Sequence, residues 1–326
     1  MKKIFHYLIF LGLLVQVQML PGQAEDAFPR DTSFTVWSTA RKIAKAYPQA
    51  VPVGEFTTLP ITGYRDLVYC QTGKRELHLD LFLPEKPEGE LPVVVCIHGG
   101  GWASGNKSHL VPLAQQLAAR GFAGISVEYR LSPEALYPAG VNDIKTAIKW
   151  LKANAPAYHL DTARIAVLGT SAGATLATLT GTTAGSPLYP GTVPFPGVSD
   201  RVRAIVNIDG PLDFTDPAES AKDTIPSKPS AAARWFGVTL AQNPAPWKEA
   251  SPVNHVGPDS PSILFVNSSL PRYHVGRDAY IAVLDENGIY SEVHTIPDTP
   301  HPFWLFEPWF GETLEIVTLF LQRTLE

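Results

Sequence analysis

Arg164-Ile165-Ala166-Val167-Leu168-Gly169-Thr170-Ser171-Ala172-Gly173-Ala174 is the stretch that decides how the rest of the chain folds. Ile165 to Leu168 is a continuous apolar run, which suits a strand buried on both faces of a parallel sheet. Gly169 to Gly173 then fits the pattern G-x-S-x-G, and Ala174 to Leu179 opens a helix. Strand, tight turn and helix in that order form a nucleophile elbow, a strained turn that lifts a serine Oγ above the sheet edge. The small neighbours of Ser171 keep the approach to its hydroxyl open. The Ala172 N–H, at the helix start, is placed to stabilise a negative oxygen. The five-residue pattern alone is common; the strand before it and the helix after it give it weight.

Outward from this stretch the chain alternates. Pro92 to His98 and Phe122 to Tyr129 read as strands, His109 to Arg120 and Val141 to Asn154 as helices, the latter with Ile144, Ala147, Ile148 and Leu151 on one face. Downstream, Val202 to Ile208, Ser262 to Val266 and Ser291 to Ile296 read as strands. Arg277 to Glu286 and Gly311 to Arg323 read as helices. Alternation of this kind predicts a mostly parallel sheet covered by helices on both faces, with its ligand site beyond the carboxyl ends of the strands. Upstream, Tyr64 to Cys70 and Leu77 to Leu83 flank the turn at Thr72-Gly73-Lys74. Leu77, Leu79, Leu81 and Leu83 alternate with His78, Asp80 and Phe82, as in a half-buried antiparallel strand. Residues 61–326 thus form one domain. Ala184 to Asp200 and Asp213 to Pro261 interrupt the rhythm and predict a small cap over the site.

The amino end is organised differently. Lys2 and Lys3, the apolar Ile4 to Val15 and the small-residue site Gly22-Gln23-Ala24 predict a secretory signal, residues 1–24, cleaved near Ala24. Gln16 and Gln18 cut the run short of a membrane span. The mature chain is expected to be secreted or periplasmic and free of the membrane. In residues 25–60, Asp31 to Tyr47 carries a helical apolar pattern that packs on the main domain or on a second copy, leaving a homodimer open. Pro48 to Pro60 reads as a linker. At 45% hydrophobic residues the 326-residue chain can bury a large core, and its net charge of −5 argues against nucleic acid as a partner. Two cysteines are too few for a disulfide framework. Cys96, inside an apolar run, reads as a buried inert thiol; a Cys70–Cys96 bridge is the alternative.

His98-Gly99-Gly100-Gly101-Trp102 follows a strand directly. Successive glycines let a backbone approach a ligand closely and aim N–H groups at it. With the elbow, they predict an oxyanion hole of Gly100, Gly101 and Ala172 N–H. These residues, with Tyr129-Arg130-Leu131-Ser132-Pro133-Glu134, Tyr137-Pro138-Ala139, Asp143, Trp150-Leu151 and His301, make the chain resemble the α/β-hydrolase esterases. Within that fold it is similar to the hormone-sensitive-lipase-like and bacterial acetylxylan/feruloyl-type group. The resemblance runs from Leu91 to the end, and is specific for fold and serine hydrolysis but not for substrate. It implies Ser171 as nucleophile, His301 as base, and Tyr129, Arg130 and Asp143 as structural.

His301 also follows from position, since it lies after the last strand on the ligand side, in the chain order Ser, acid, His. His98 is better suited to orienting the glycine loop. The acid is irregular. The family places a carboxylate shortly after the strand Ser262 to Val266, where this chain has Asn267 to Arg277 before the first candidate, Asp278. We take Asp278 as the expected acid, with Asp209 or Asp213, at the preceding strand end, as alternatives; Asp298 lies in a turn that aims it elsewhere. Arg272 and His274 could meet a substrate carboxylate or sugar hydroxyl, or pair with local carboxylates. Of the aromatic set Trp235, Trp247, Phe303, Trp304, Trp309 and Phe310, most suit core packing. Trp102 or Trp304 is the expected substrate platform, with Arg272 beside it.

The expected activity is hydrolysis of a small ester, or of acetyl, methyl or feruloyl esters on plant polysaccharide, with no metal or organic cofactor implied. An exported prolyl-oligopeptidase-type peptidase is a second reading, with Glu219, Asp223 and Glu249 as amino-terminus binders. A third is an impaired α/β-hydrolase that only binds.

Overall fold

The computed structural model describes residues 28–29, 31–220 and 229–325. The expected signal and its cleavage site, and Asp223, lie outside the described residues. Eight strands form the main sheet: β1 (Ile61–Thr72), β2 (Arg75–Pro84), β3 (Leu91–Ile97), β4 (Ala123–Val127), β5 (Leu160–Thr170), β6 (Ala204–Ile208), β7 (Ser262–Asn267) and β8 (Ser291–Thr295). Their spatial order is β1-β2-β4-β3-β5-β6-β7-β8. The pairs β1/β2 and β2/β4 are antiparallel, and every later neighbour is parallel. This is the mostly parallel sheet that the alternation predicts.

Two faces demand two cores. In β3, Val93, Val95 and Ile97 enter one apolar cluster while Val94 and Cys96 enter the other, as the period of two requires. The first cluster takes in α3 (Ala139–Ala153), α4 (Ala172–Thr182) and α5 (Arg277–Glu286); the second takes in α2 (Val111–Ala118) and α6 (Trp309–Leu325). Leu77, Leu79 and Leu81 are fully buried, each contributing roughly 1.5–3 kcal/mol of transfer free energy. The other face of β2 is covered as well, against the half-buried reading. Asp80 is 2% exposed and accepts from Lys107 Nζ at 2.7 Å and Asp66 N–H at 2.9 Å, so its burial is compensated. Cys70 and Cys96 are free, buried and in different clusters, which removes the disulfide alternative.

The amino-terminal helix is shorter than its pattern, Val36–Ile43, here α1. Thr35 Oγ1 accepts from the Ser38 N–H and Ser38 Oγ accepts from the Thr35 N–H, a reciprocal cap that fixes its start. Val36, Ala40, Ile43 and Tyr47 pack on the second cluster. The stretch read as a linker is laid against the domain: Val51–Pro52 pairs antiparallel with Phe306–Glu307. The cap carries the short helices Ala231–Phe236 and Ala245–Glu249. It is tied to the scaffold by the Tyr137 hydroxyl, which donates to Glu249 Oε1 at 2.7 Å and lies 2.5 Å from the Tyr189 hydroxyl.

Candidate active site

Ser171 follows β5 and caps α4 with φ 53° and ψ −122°, a conformation that costs a non-glycine residue roughly 1–3 kcal/mol. A Cβ on Gly173 would stand 2.1 Å from the Ile97 carbonyl oxygen, so only glycine lets α4 approach β3. The Ser171 N–H donates to the Ile208 carbonyl at 2.8 Å, which pins the elbow to the next strand.

That next strand supplies the carboxylate. Asp209 follows β6 with φ 54° and is fully buried. His301 Nδ1–H donates to Asp209 Oδ2 at 3.0 Å, and His301 Nε2 accepts from the Ser171 hydroxyl at 2.8 Å. Asp209 Oδ1 accepts from the Ser268 N–H at 2.8 Å, so both carboxylate oxygens are engaged. Asp278 is the correction. It sits in the first turn of α5, 84% exposed, and pairs with its neighbour Arg277. Asp213 accepts from the Thr215 N–H and hydroxyl instead. The acid has moved one strand toward the elbow, to the first residue after β6, which runs alongside β5.

Burial holds His301 below the ordinary histidine value of 6.5, although the Asp209 hydrogen bond and charge pull the other way. The imidazole is therefore a neutral base over more of the acidic range. Its ring is stacked on Tyr273, with centroids 3.6 Å apart and planes 6° apart, and meets Trp304 edge-on at 5.2 Å.

The glycine loop closes over the hydroxyl. Gly100 has φ 129°, and a Cβ there would fall 2.1 Å from the Ser104 carbonyl oxygen, so this turn requires glycine. Gly100, Gly101 and Ala172 line the same cleft as Ser171. Among the described residues their N–H groups meet no acceptor, as donors awaiting an oxyanion should. His98 is buried and holds the loop, its Nδ1 2.9 Å from the Gly99 carbonyl oxygen and its ring stacked on Tyr129. Burial takes its pKa down to about 3, too low for a base at neutral pH. Arg130 grips Asp143 with Nε at 2.9 Å and Nη2 at 2.7 Å, the bidentate pair that fixes the loop after β4.

The cleft encloses about 450 Å³. Trp304 and Trp102 both line it and are 4% and 5% exposed, and Trp102 in addition has one face stacked on Trp235 at 4.8 Å. Trp102 is thereby a poor platform: its flat face is already covered. Arg272 reaches the cleft with its fork on buried Glu219, at 2.7 and 3.1 Å. Both oxygens of Glu219 are taken by Arg272, and Glu249 accepts from Tyr137 and is not among the residues that line the cleft. Sequence reasoning missed Tyr273, and it missed the wall that Thr39, Lys42 and Ile43 of α1 contribute. The helix period of α1 showed its buried stripe but not what the stripe lies against. Nothing around Tyr273 signalled a partner 28 residues away in sequence.

The chain matches the BD-FAE family over residues 79–270, well over half its length. It is 29% identical over 255 residues to "Esterase LipC" of Mycobacterium tuberculosis, covering 74% of this chain and 60% of that protein. It is 29% identical over 241 residues to "Probable carboxylic ester hydrolase LipM" of the same organism, covering 72% of this chain and 52% of that one. The chain thus spans between about half and three fifths of the length of these curated relatives. Among solved structures it is similar to "Bifunctional GH43-CE" of Bacteroides eggerthii, with a TM-score of 0.70 at 28% identity, over 81% of this chain and 38% of that one. The "Truncated form of carbohydrate esterase from gut microbiota" matches with a TM-score of 0.65 at 23% identity, over 83% of this chain and 99% of that one. The second likeness speaks for fold. A match of this extent, on a sheet and elbow of this kind, makes the chain an α/β-hydrolase that belongs to the BD-FAE family.

Proposed function

We propose that the chain is a serine carboxylic ester hydrolase, exported, and directed at acetyl, methyl or feruloyl esters on plant cell-wall polysaccharide. One observation carries the chemistry: a single imidazole bridges a strained serine hydroxyl at 2.8 Å and a buried carboxylate at 3.0 Å. In this reading Ser171 Oγ attacks the ester carbonyl while His301 Nε2 takes its proton. The negative oxygen rests on the N–H groups of Gly100, Gly101 and Ala172, each worth roughly 3–4 kcal/mol of transition-state stabilisation. The tetrahedral species collapses, the C–O bond to the alcohol breaks, and the alcohol leaves with the proton from His301. Water then attacks the acyl-serine, again losing its proton to His301; the bond from the acyl carbon to Ser171 Oγ breaks, Ser171 takes that proton back, and the carboxylic acid is released. Asp209 holds Nδ1–H throughout and stabilises the imidazolium.

The substrate class is supported by the likeness to the "Bifunctional GH43-CE" and to the "carbohydrate esterase from gut microbiota". Export is supported by Lys2, Lys3 and the apolar run that follows. The test is labelling with a fluorophosphonate, read by mass spectrometry on the Ser171 peptide, alongside hydrolysis of p-nitrophenyl acetate and of acetylated and feruloylated xylan. Adduct on Ser171 and release from xylan are expected. An unmodified Ser171, or cleavage of aminoacyl-p-nitroanilides in preference to esters, would end this reading.

A further inference from the structure

We infer that Tyr273 is a positioning residue for the base: its ring is the plate against which the His301 imidazole is held in the plane that joins Asp209 to Ser171. The inference rests on the serine-hydrolase reading above and adds a residue to it. Ring centroids 3.6 Å apart with planes 6° apart leave the imidazole almost no freedom to tilt, while the Trp304 ring, perpendicular to it with centroids 5.2 Å apart, closes the side.

The plate is itself immobilised. Tyr273 lies in the turn Pro271–His274 after β7, between two anchored neighbours. Arg272 is forked onto buried Glu219, with its guanidinium carbon 5.3 Å from the Tyr273 ring centroid. His274 Nε2 lies 2.8 Å from the Ser268 carbonyl oxygen. Beyond the turn, the Leu212 N–H donates to the Val275 carbonyl at 2.8 Å, fastening it to the segment after Asp209. The loop expected to carry the acid thus carries an aromatic face instead, and the acid stands on the neighbouring strand. Both still act on the same imidazole, one through Nδ1 and one through the ring plane.

The charged and titratable groups around His301 are Asp209 and Ser171 from the strand ends, Arg272 and Tyr273 from this turn, Glu219 from the cap, and Lys42, Arg234 and Asp31 across the cleft. Removing the plate lets water reach the ring, which favours the imidazolium. Y273A is therefore expected to lower kcat by about 10- to 100-fold with KM little changed, and to move the acidic limb of kcat/KM to higher pH. Y273L, which fills most of the space without a plane, should behave like Y273A. Y273F, which keeps the ring, should recover most of the rate and the original limb.

Melting curves identify any variant that fails to fold, and the Leu and Phe pair then decides. Y273L with the wild-type rate and pH limb overturns the inference, as does Y273F that is as poor as Y273A. S171A separates the two readings. Its loss of hydrolysis alongside an unaffected Tyr273 series sinks only this inference, whereas retained hydrolysis in S171A sinks both.

Discussion

Asp209 owes its place to three local facts: it is the first residue after β6, its φ is positive, and its two oxygens face different partners, His301 and Ser268. Removing the charge while keeping the shape should disturb the imidazole tautomer rather than the fold. D209N is expected to lower kcat by about 10⁴-fold with little change in melting temperature, whereas D278N, on an exposed side chain, should leave the rate as it is. Steady-state kinetics on p-nitrophenyl acetate with thermal melts of both variants check this, and a normal rate in D209N would remove Asp209 from the site. Burial of His301 sets a second expectation: the acidic limb of kcat/KM should lie below 6.5, because the neutral base survives to lower pH. A limb above that value would contradict the buried geometry. Ser171 and His301 were legible in the sequence because each sits in a self-announcing local context, an elbow and a turn after the last strand. The acid was not, since a carboxylate 92 residues from His301 is chosen by which strands lie side by side. Asp209 stood among the alternatives, but chain order could not rank it above Asp278.

Elements show the same division. Periodicity and apolar runs placed the strands of the sheet within three residues, except that β5 begins five residues before its reading, and α5 at Arg277–Glu286 matches. Periodicity misjudged the burial of β2, because whether Asp80 and Phe82 see water depends on the helix layer that covers them. The glycine loop is the element whose function depends most on backbone shape. G100A would drive a methyl group into the Ser104 carbonyl at 2.1 Å and displace the donors. A loss of about 10²- to 10³-fold in kcat is expected, with fluorophosphonate labelling of Ser171 slowed in parallel. Labelling at the wild-type rate would show that the loop does not serve the oxyanion. The amino-terminal segment is the other surprise at this scale. Composition marked residues 48–60 as a linker; in the fold they and α1 are packed down, because α1 and the Tyr47 that follows it have an apolar stripe with a waiting partner in the second cluster. T35A should loosen this wall by about 1 kcal/mol through loss of the cap.

For the molecule as a whole, two histidines held neutral by burial couple folding to pH. Burial takes His98 down to about 3 and His109 down to about 4. Both groups accept a proton more readily unfolded than folded, so their contribution is complete above about 6.5 and is lost progressively as pH falls toward those values. Each adds a slope of about 1.4 kcal/mol per pH unit in that window. Urea titrations at pH 7, 6 and 5 should show stability falling with acid, and H109F should flatten the slope by one proton; an unchanged slope in H109F would contradict it. Asp31 and Leu325 also lie at opposite poles of the sheet. The Asp31 N–H donates to the Ala103 carbonyl at 3.1 Å beside the cleft, whereas Leu321 and Leu325 of α6 share a hollow with Leu91, Pro92 and Arg164, near the strand beginnings. Tethering the protein to a bead or a fusion partner through its carboxyl end would present the mouth of the cleft outward to a bulky polymer. The same tether fixed at Asp31 would stand in the doorway.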